Sequence, residues 1–116
     1  MGSKGLTKKP WTYEVLVEAL DGATQKPLGP RVDARWYGLR IAVYCDGQLI
    51  ADVYPTHVVV RAKELDRVVQ SKLNRLLVTY GYMLAMRNYE WVLVKEGISS
   101  RYRPDLMLTN PTTSNI

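Results

Sequence analysis

The chain has 116 residues, and its 16 Lys and Arg against 11 Asp and Glu give a formal net charge of +5. This length suits one domain, and a hydrophobic share of 47% with 23% charged residues is ordinary for a folded protein, which excludes wholesale disorder. The single cysteine, Cys45, excludes an internal disulfide and a cysteine-rich zinc module, and no apolar run approaches the roughly 18 residues of a membrane span.

The two ends of the chain lack the patterns of folded elements. Residues 1–10 are polar and basic, without the apolar stretch of a signal peptide. Residues 109–116 show no hydrophobic periodicity. We therefore expect two flexible ends around one domain at residues 11–108. A lone thiol and the missing export pattern favour an intracellular, cytoplasmic location.

The first patterned stretch, Trp11–Leu20, suits either a strand or a helix. From Tyr13 to Val17, aromatic and β-branched residues occupy alternate positions, which favours a strand. A helix is the alternative because Leu16 and Leu20 are four residues apart. The alternation leads us to predict the strand.

A loop and a hairpin are predicted next. Lys26–Pro30 contains two prolines, which favours a loop. Farther on, Asp46-Gly47 separates the apolar runs Ala34–Cys45 and Gln48–Tyr54, and it is the dipeptide that suits a type I′ hairpin turn. The predicted register pairs Tyr44 with Leu49, Val43 with Ile50, and Ala42 with Ala51. Both faces of this hairpin are largely apolar, so we expect other parts of the chain, or a second copy of it, to cover both.

One long amphipathic helix is predicted at residues 62–80. Its apolar residues recur at three- and four-residue steps. They are Leu65, Val68, Val69, Leu73, Leu76, Leu77 and Tyr80. Gly81 stands at the position of a left-handed C-terminal cap, whereas no capping residue marks the start of the helix.

Downstream of the helix the pattern returns to strands. Tyr82–Met86 and Glu90–Val94 are predicted to form a second hairpin or one long bent strand, Gly97–Ser100 to break it, and Leu106–Leu108 to add a short strand. The fold class that follows is α+β: an antiparallel sheet of two hairpins and an N-terminal strand, packed against one long amphipathic helix.

Cations flank the apolar stripe of the predicted helix. At about 100° per residue, Arg61, Lys72 and Arg75 fall on one flank, and Lys63 and Arg67 fall on the outer face. Acidic neighbours offset the outer pair, whereas the flank could follow a phosphate backbone through Coulomb attraction. The alternative is that these long side chains only cover the edge of the core and keep their charged ends in water.

The aromatic residues are eight Tyr and three Trp, with no Phe. Two segments interleave aromatic and basic residues, namely Arg35, Trp36 and Arg40, and then Arg101, Tyr102 and Arg103. Such segments are typical of proteins that stack rings on unpaired bases. Tyr44 and Trp91 are predicted to be core residues instead.

No catalytic, metal or cofactor site is predicted. His57 is the only histidine, and no spacing brings it to a nucleophile and a carboxylate. Cys45 precedes Asp46, whose negative charge would raise the pKa of the thiol and disfavour a reactive thiolate. The other acidic residues lack metal-ligand spacing, and the glycines form no phosphate-binding fingerprint. We therefore expect a protein that is not an enzyme.

The function predicted from these patterns is a small, basic, non-catalytic binding protein that contacts nucleic acid, as a homodimer. The predicted contact residues are Arg61, Lys72, Arg75, Arg35, Trp36, Arg40, Arg101, Tyr102 and Arg103. The alternative is a protein–protein adaptor or inhibitor, of the kind that viruses and mobile elements encode, which would bind its partner through an apolar, Tyr- and Trp-rich sheet face.

Overall fold

The structure, a computed structural model, describes residues 9–109, so most of both predicted flexible ends lies outside the described residues. In chain order the elements are α1 (Tyr13–Leu20), β1 (Gln25–Gly29), β2 (Val32–Trp36), β3 (Ile41–Cys45), β4 (Gln48–Val53), β5 (His57–Val60), α2 (Arg67–Leu77), a 3₁₀ turn (Val78–Tyr80), β6 (Met83–Arg87), β7 (Glu90–Lys95), β8 (Ile98–Arg101) and β9 (Leu106–Thr109).

The strands form two antiparallel sheets. The first sheet has the order β1-β2-β3-β4-β5-β9, and the second has the order β6-β7-β8. The α+β class is therefore confirmed, whereas the prediction of one sheet under one long helix is wrong. Neither α1 nor α2, the two α-helices of the described residues, has the length and apolar character needed for a membrane crossing.

The predicted N-terminal strand is a helix. The Thr12 side chain accepts a hydrogen bond from the Val15 N–H at 3.2 Å, which caps the start of α1. Leu16 and Leu20 are fully buried, and with Val17 they form a helical stripe. Burial of that stripe decides between two structures that the short apolar pattern permits.

Two other local predictions fail around β1 and β2. Lys26–Pro30, predicted as a loop, contains most of β1, an edge strand that pairs only with β2. Pro27 is tolerated there because the free side of an edge strand needs no donor. The predicted run Ala34–Cys45 is divided into β2 and β3 by a turn that includes Gly38, with φ +82°.

The Asp46-Gly47 hairpin is confirmed, with φ of 51° and 81° at the two turn residues. Tyr44 lies opposite Leu49 as predicted. Beyond that pair a bulge shifts the register, so that Val43 lies opposite Ala51, and Ala42 opposite Asp52. The predicted pairs Val43–Ile50 and Ala42–Ala51 are therefore wrong.

The shifted register defines the two faces of the first sheet. We call the face that joins the core the inner face, and it carries Val32, Ala34, Ile41, Val43, Ala51, Val53, Val58, Val60 and Leu108. The outer face carries Asp33, Arg35, Ala42, Tyr44, Asp52, Val59 and Met107. Tyr44 is half-buried on the outer face, so its assignment to the core is wrong.

Helix α2 begins five residues later than predicted. Asp66 accepts a hydrogen bond from the Val69 N–H at 2.9 Å and is the cap that sequence reasoning missed. The helix ends through the 3₁₀ turn at Gly81, with φ +82°, so the predicted C-terminal cap is confirmed. The apolar stripe of α2 packs into the core through Val69, Leu73, Leu76 and Leu77.

Two amide side chains join α2 to the edge strand β6. The Leu84 N–H donates to Asn74 Oδ1 at 2.7 Å, and Asn74 Nδ2 donates to the Leu84 carbonyl at 3.1 Å. Gln70 donates to the same carbonyl at 3.0 Å. Asn74 thus takes the place that a neighbouring strand would have beside Leu84.

The second sheet contains the predicted hairpin of β6 and β7 and one additional strand. The hairpin turn falls at Asn88 and Tyr89, with φ of 51° and 63°. The predicted break at Gly97–Ser100 is wrong beyond Gly97, because β8 begins at Ile98 and pairs with β7. The predicted final strand is confirmed as β9, which includes Thr109 and pairs with β5.

Candidate nucleic-acid interface

The segment around Trp36 does not present its basic and aromatic residues together. Arg35 and Trp36 are consecutive in β2, so their side chains point to opposite faces of the sheet. Arg35 lies over the Tyr44 ring, 4.0 Å from its centroid, and pairs with Asp33 at 3.1 Å. Trp36 packs against the core. One ligand therefore cannot contact both side chains from the same side.

The three predicted flank cations have three different environments. Arg61 pairs with Asp52 at 2.9 Å and with Asp105 at 2.7 Å on the outer face of the first sheet. Arg75 donates to the Lys9 carbonyl and lies over the Trp11 ring, 4.0 Å from its centroid.

Burial lowers the pKa of Arg75. The bonds from Arg75 to the Lys9 carbonyl and from the Trp11 N–H to the Arg75 carbonyl hold residues 9–11 against α2. Lys72 is half-buried on α2. Because α2 packs into the core, on the inner side of the first sheet, the structure does not join Arg61 to the two helix cations.

The third predicted segment, Arg101–Arg103, begins at the last residue of β8, and its first two residues line a surface depression. Three depressions share wall residues there. The first, of about 320 Å³, is lined by Lys63, Leu65, Glu90, Trp91, Arg101, Tyr102 and Pro104. The second, of about 560 Å³, is lined by Asp66, Arg67, Gln70, Ala85, Met86 and Trp91. The third, of about 360 Å³, is lined by Gln48, Leu49, Arg61, Lys63 and Asp105. We call the three together the Trp91 groove.

The acidic residues of the Trp91 groove are all engaged within the protein. Glu90 pairs with Arg101 at 2.9 Å, Asp105 pairs with Arg61, and Asp66 caps α2. In contrast, Lys63 and Arg67 have no carboxylate within ion-pair distance among residues 9–109. The three depressions are lined by four cations, Arg61, Lys63, Arg67 and Arg101, and by three carboxylates, so their lining has a formal net charge of +1, and Lys63 and Arg67 are the cations that form no ion pair among the described residues.

Sequence reasoning missed these two cations and the tryptophan whose depressions they line. It treated Lys63 and Arg67 as offset by Glu64 and Asp66, yet neither cation forms an ion pair among the described residues, and Asp66 accepts the Val69 N–H. It assigned Trp91 to the core, and the structure places this ring against the core yet also in the wall of two depressions. No short-range spacing could have shown this, because the wall combines residues more than 25 positions apart.

Tyr102 is held in the wall of the groove by a hydrogen bond from its hydroxyl to the Ala62 carbonyl at 2.6 Å. Burial raises the pKa of the Tyr102 hydroxyl above its usual value, and the negative charge of Asp105 raises it further. The hydroxyl is therefore a donor at neutral pH, and its ionisation opposes folding.

Replacing Tyr102 with Phe is expected to lower the free energy of unfolding by about 1 kcal/mol at neutral pH, since the hydrogen bond to Ala62 is lost. Because the pKa of Tyr102 is raised in the folded state, its contribution to the free energy of unfolding is fully present below about pH 10, the pKa of an unfolded tyrosine. That contribution is lost as the pH rises toward the folded-state pKa. Urea unfolding at pH 7 and across the alkaline range should show the difference between wild type and variant shrinking as the pH rises. Tyr89→Phe, at a 98% exposed tyrosine, is the control, and a Tyr102→Phe difference that does not change with pH would contradict this account.

The residues considered for catalysis are apart. Cys45 is buried on β3. Burial raises the pKa of its thiol, and the negative charge of Asp46 raises it further. His57 stacks on Tyr54 with ring centroids 4.3 Å apart and contacts the Thr56 hydroxyl. Within residues 9–109 no three His, Cys, Asp or Glu side chains are grouped as metal ligands would be.

Comparison with known proteins gives no relative: no family model, curated protein or solved structure matches this chain. The candidate site is therefore interpreted from its own side chains. Its most prominent feature is a partly buried tryptophan in the wall of two depressions whose linings also include Lys63 and Arg67, which form no ion pair among the described residues.

Proposed function

We propose that this chain is a non-catalytic nucleic-acid-binding module that holds a single strand in the Trp91 groove. The observation that supports this function is that Lys63 and Arg67 line adjoining depressions, both of which also contain Trp91 in their walls. A cationic groove with an aromatic wall is the arrangement that binds single strands with little sequence preference.

The division of roles follows from the chemistry of each side chain. Lys63 and Arg67 contact phosphates, releasing the counterions that surround a free strand. Trp91 stacks on a base, which requires an unpaired base because both faces of a paired base are covered within a duplex. Arg101 is exposed at the same wall, and the Arg101–Glu90 pair is weak enough for a phosphate to replace the carboxylate. Arg103 is exposed two residues farther along the chain and does not line the groove.

Salt dependence tests this function directly. Wild-type protein is expected to bind a single-stranded oligonucleotide with an affinity that falls steeply as salt rises. The double variant Lys63→Gln/Arg67→Gln is expected to reduce the slope of log affinity against log salt by about 1.4, since each phosphate contact to a single strand contributes about 0.7. Fluorescence anisotropy at several salt concentrations measures both quantities.

A control with the same change in charge removes two cations that do not line the groove. Lys26 is exposed on the edge strand β1, and Arg87 donates to Ser99 on the second sheet. Lys26→Gln/Arg87→Gln should leave the slope nearly unchanged. If both double variants lower the slope equally, binding depends on net charge and not on the groove, and absence of wild-type binding at 50 mM salt rejects the function.

A protein–protein adaptor is a second candidate, favoured by the exposed residues of the second sheet. Ile98 on β8 is 74% exposed, and Met83 and Met86 on β6 are about half exposed. Such a function predicts a stable protein partner that nuclease treatment does not remove and that Ile98→Lys releases.

The proposed homodimer is checked separately by light scattering, which should give about twice the 13.2 kDa mass of one chain.

A further inference from the structure

The outer face of the first sheet contains a buried charge that the Trp91 groove does not use. Asp52 is 2% exposed and is the only charged residue in the buried class among residues 9–109. Arg40 Nε donates to one carboxylate oxygen at 3.1 Å, and Arg61 Nε donates to the other at 2.9 Å. A buried carboxylate is costly unless it is paired, and here two guanidinium groups share one carboxylate.

The bonds to Asp52 use the Nε groups of both arginines and leave Nη groups that can donate to another acceptor. Each arginine uses Nε for Asp52, and their side chains remain 40% and 36% exposed. Arg40 also lies over the Tyr37 ring, 4.9 Å from its centroid, a second contact that restrains its guanidinium. Among residues 9–109, Arg61 gives only Nη1 to a further acceptor, the 61% exposed Asp105, and Arg40 gives neither Nη group.

We propose that Arg40 and Arg61 form a binding site for a phosphate group, with Asp52 as the residue that positions both. Two planar guanidinium groups that are anchored to the two oxygens of one carboxylate can offer their free Nη groups to the oxygens of a phosphate. The pair has one positive charge more than Asp52 neutralises, and Asp105 offsets that charge until an anion displaces it. Asp105 accepts a hydrogen bond from Arg61 Nη1 on the solvent side, so it competes with an anion for that group.

Arg61 also connects this site to the Trp91 groove, because it lines the third depression together with Lys63. A strand that leaves the groove at this end would place a backbone phosphate on Arg61 and Arg40. This part of the inference rests on the proposed function. A free phosphate monoester uses the same chemistry, and the experiment separates the two sources.

Asp52→Asn and Asp105→Asn each raise the net charge by one, yet they are expected to have opposite effects. Asp52→Asn frees both guanidinium groups from their fixed positions and should weaken binding of inorganic phosphate by about tenfold. Asp105→Asn removes the competitor and should strengthen binding severalfold. If the site acted only through overall charge, both variants would strengthen binding, and that result would overturn the proposal.

Inorganic phosphate is titrated while NMR follows the Arg40 and Arg61 Nε–H signals, with chloride at equal ionic strength as the reference. Both signals should shift saturably, while the signal of Arg31, which pairs with Asp46 through Nε and Nη2, should not. No saturable shift at Arg40 and Arg61 overturns the proposal. Arg40→Lys keeps the charge but loses the planar fork, and it should weaken phosphate binding even if Asp52→Asn does not fold.

A parallel titration with a single-stranded oligonucleotide distinguishes this inference from the proposed function. If phosphate binds as expected but no oligonucleotide does, the Arg40–Arg61 site is supported for a phosphate monoester and only the nucleic-acid function is rejected. If oligonucleotide binding depends on Trp91 while Arg40→Lys and Asp52→Asn change neither oligonucleotide nor phosphate binding, the function is supported and this inference is overturned.

Discussion

Replacing Trp91 with Leu is expected to lower the affinity for a single-stranded oligonucleotide by about 5- to 150-fold, because stacking one base on an aromatic ring contributes about 1–3 kcal/mol. Leucine keeps an apolar side chain against the core while removing the flat ring from the wall shared by two depressions. The loss should be nearly independent of salt, since stacking releases no counterions. Titrations of wild type and variant at two salt concentrations measure both properties.

The control for this prediction is Trp36→Leu. Trp36 is also partly buried and packed against the core, but it does not line the Trp91 groove. This variant should lose some stability and little oligonucleotide affinity. Equal losses of affinity in the two variants would show that tryptophan removal acts through the fold, and the assignment of Trp91 as a stacking residue would then be wrong.

Replacing Asn74 with Ala is expected to lower the free energy of unfolding by about 2 kcal/mol. The substitution leaves the Leu84 N–H without its acceptor beside a fully buried side chain, and an unsatisfied buried donor costs about 1–3 kcal/mol. Alanine is the better helix former by about 0.5 kcal/mol, which offsets a small part of the loss. Urea unfolding monitored by circular dichroism measures the change.

Gln70→Ala is the matched control for Asn74→Ala. Gln70 donates to the same Leu84 carbonyl, but Asn74 also donates to it, so the carbonyl keeps a partner when Gln70 is removed. The expected loss is well below 1 kcal/mol. A larger loss at position 70 than at position 74 would mean that Asn74 does not replace a neighbouring strand beside β6.

The sequence predicted one part of the Trp91 groove and missed the rest. Arg101, Tyr102 and Arg103 were recognised because they are consecutive, and the structure places Arg101 and Tyr102 in the groove wall. Lys63 and Arg67 were set aside because acidic residues adjoin them along the chain. Proximity along the chain does not determine ion pairing, since a carboxylate at a helix start binds backbone N–H groups instead.

The failure at α1 has a different physical origin. In a segment as short as Tyr13–Leu20, the residues that alternate for a strand also include a stripe at helical spacing. Thr12 was available as a helix cap, and its bond to the Val15 N–H agrees with the helical alternative. The outcome depends on the core, which buries Leu16 and Leu20 together and not the alternate residues.

By itself the sequence determined the features that depend on local backbone energy. Positive φ angles, which glycine and aspartate adopt locally, explain the Asp46-Gly47 turn and the end of the helix at Gly81. The periodicity of apolar residues explains the α+β class. Only the tertiary structure decided that Asp52 lies on the outer face of the first sheet, within reach of Arg40 and Arg61, because one bulge at Ile50 places Asp52 opposite Ala42. It also decided the groove, since Lys63, Trp91 and Tyr102 meet through contacts between elements far apart in the chain.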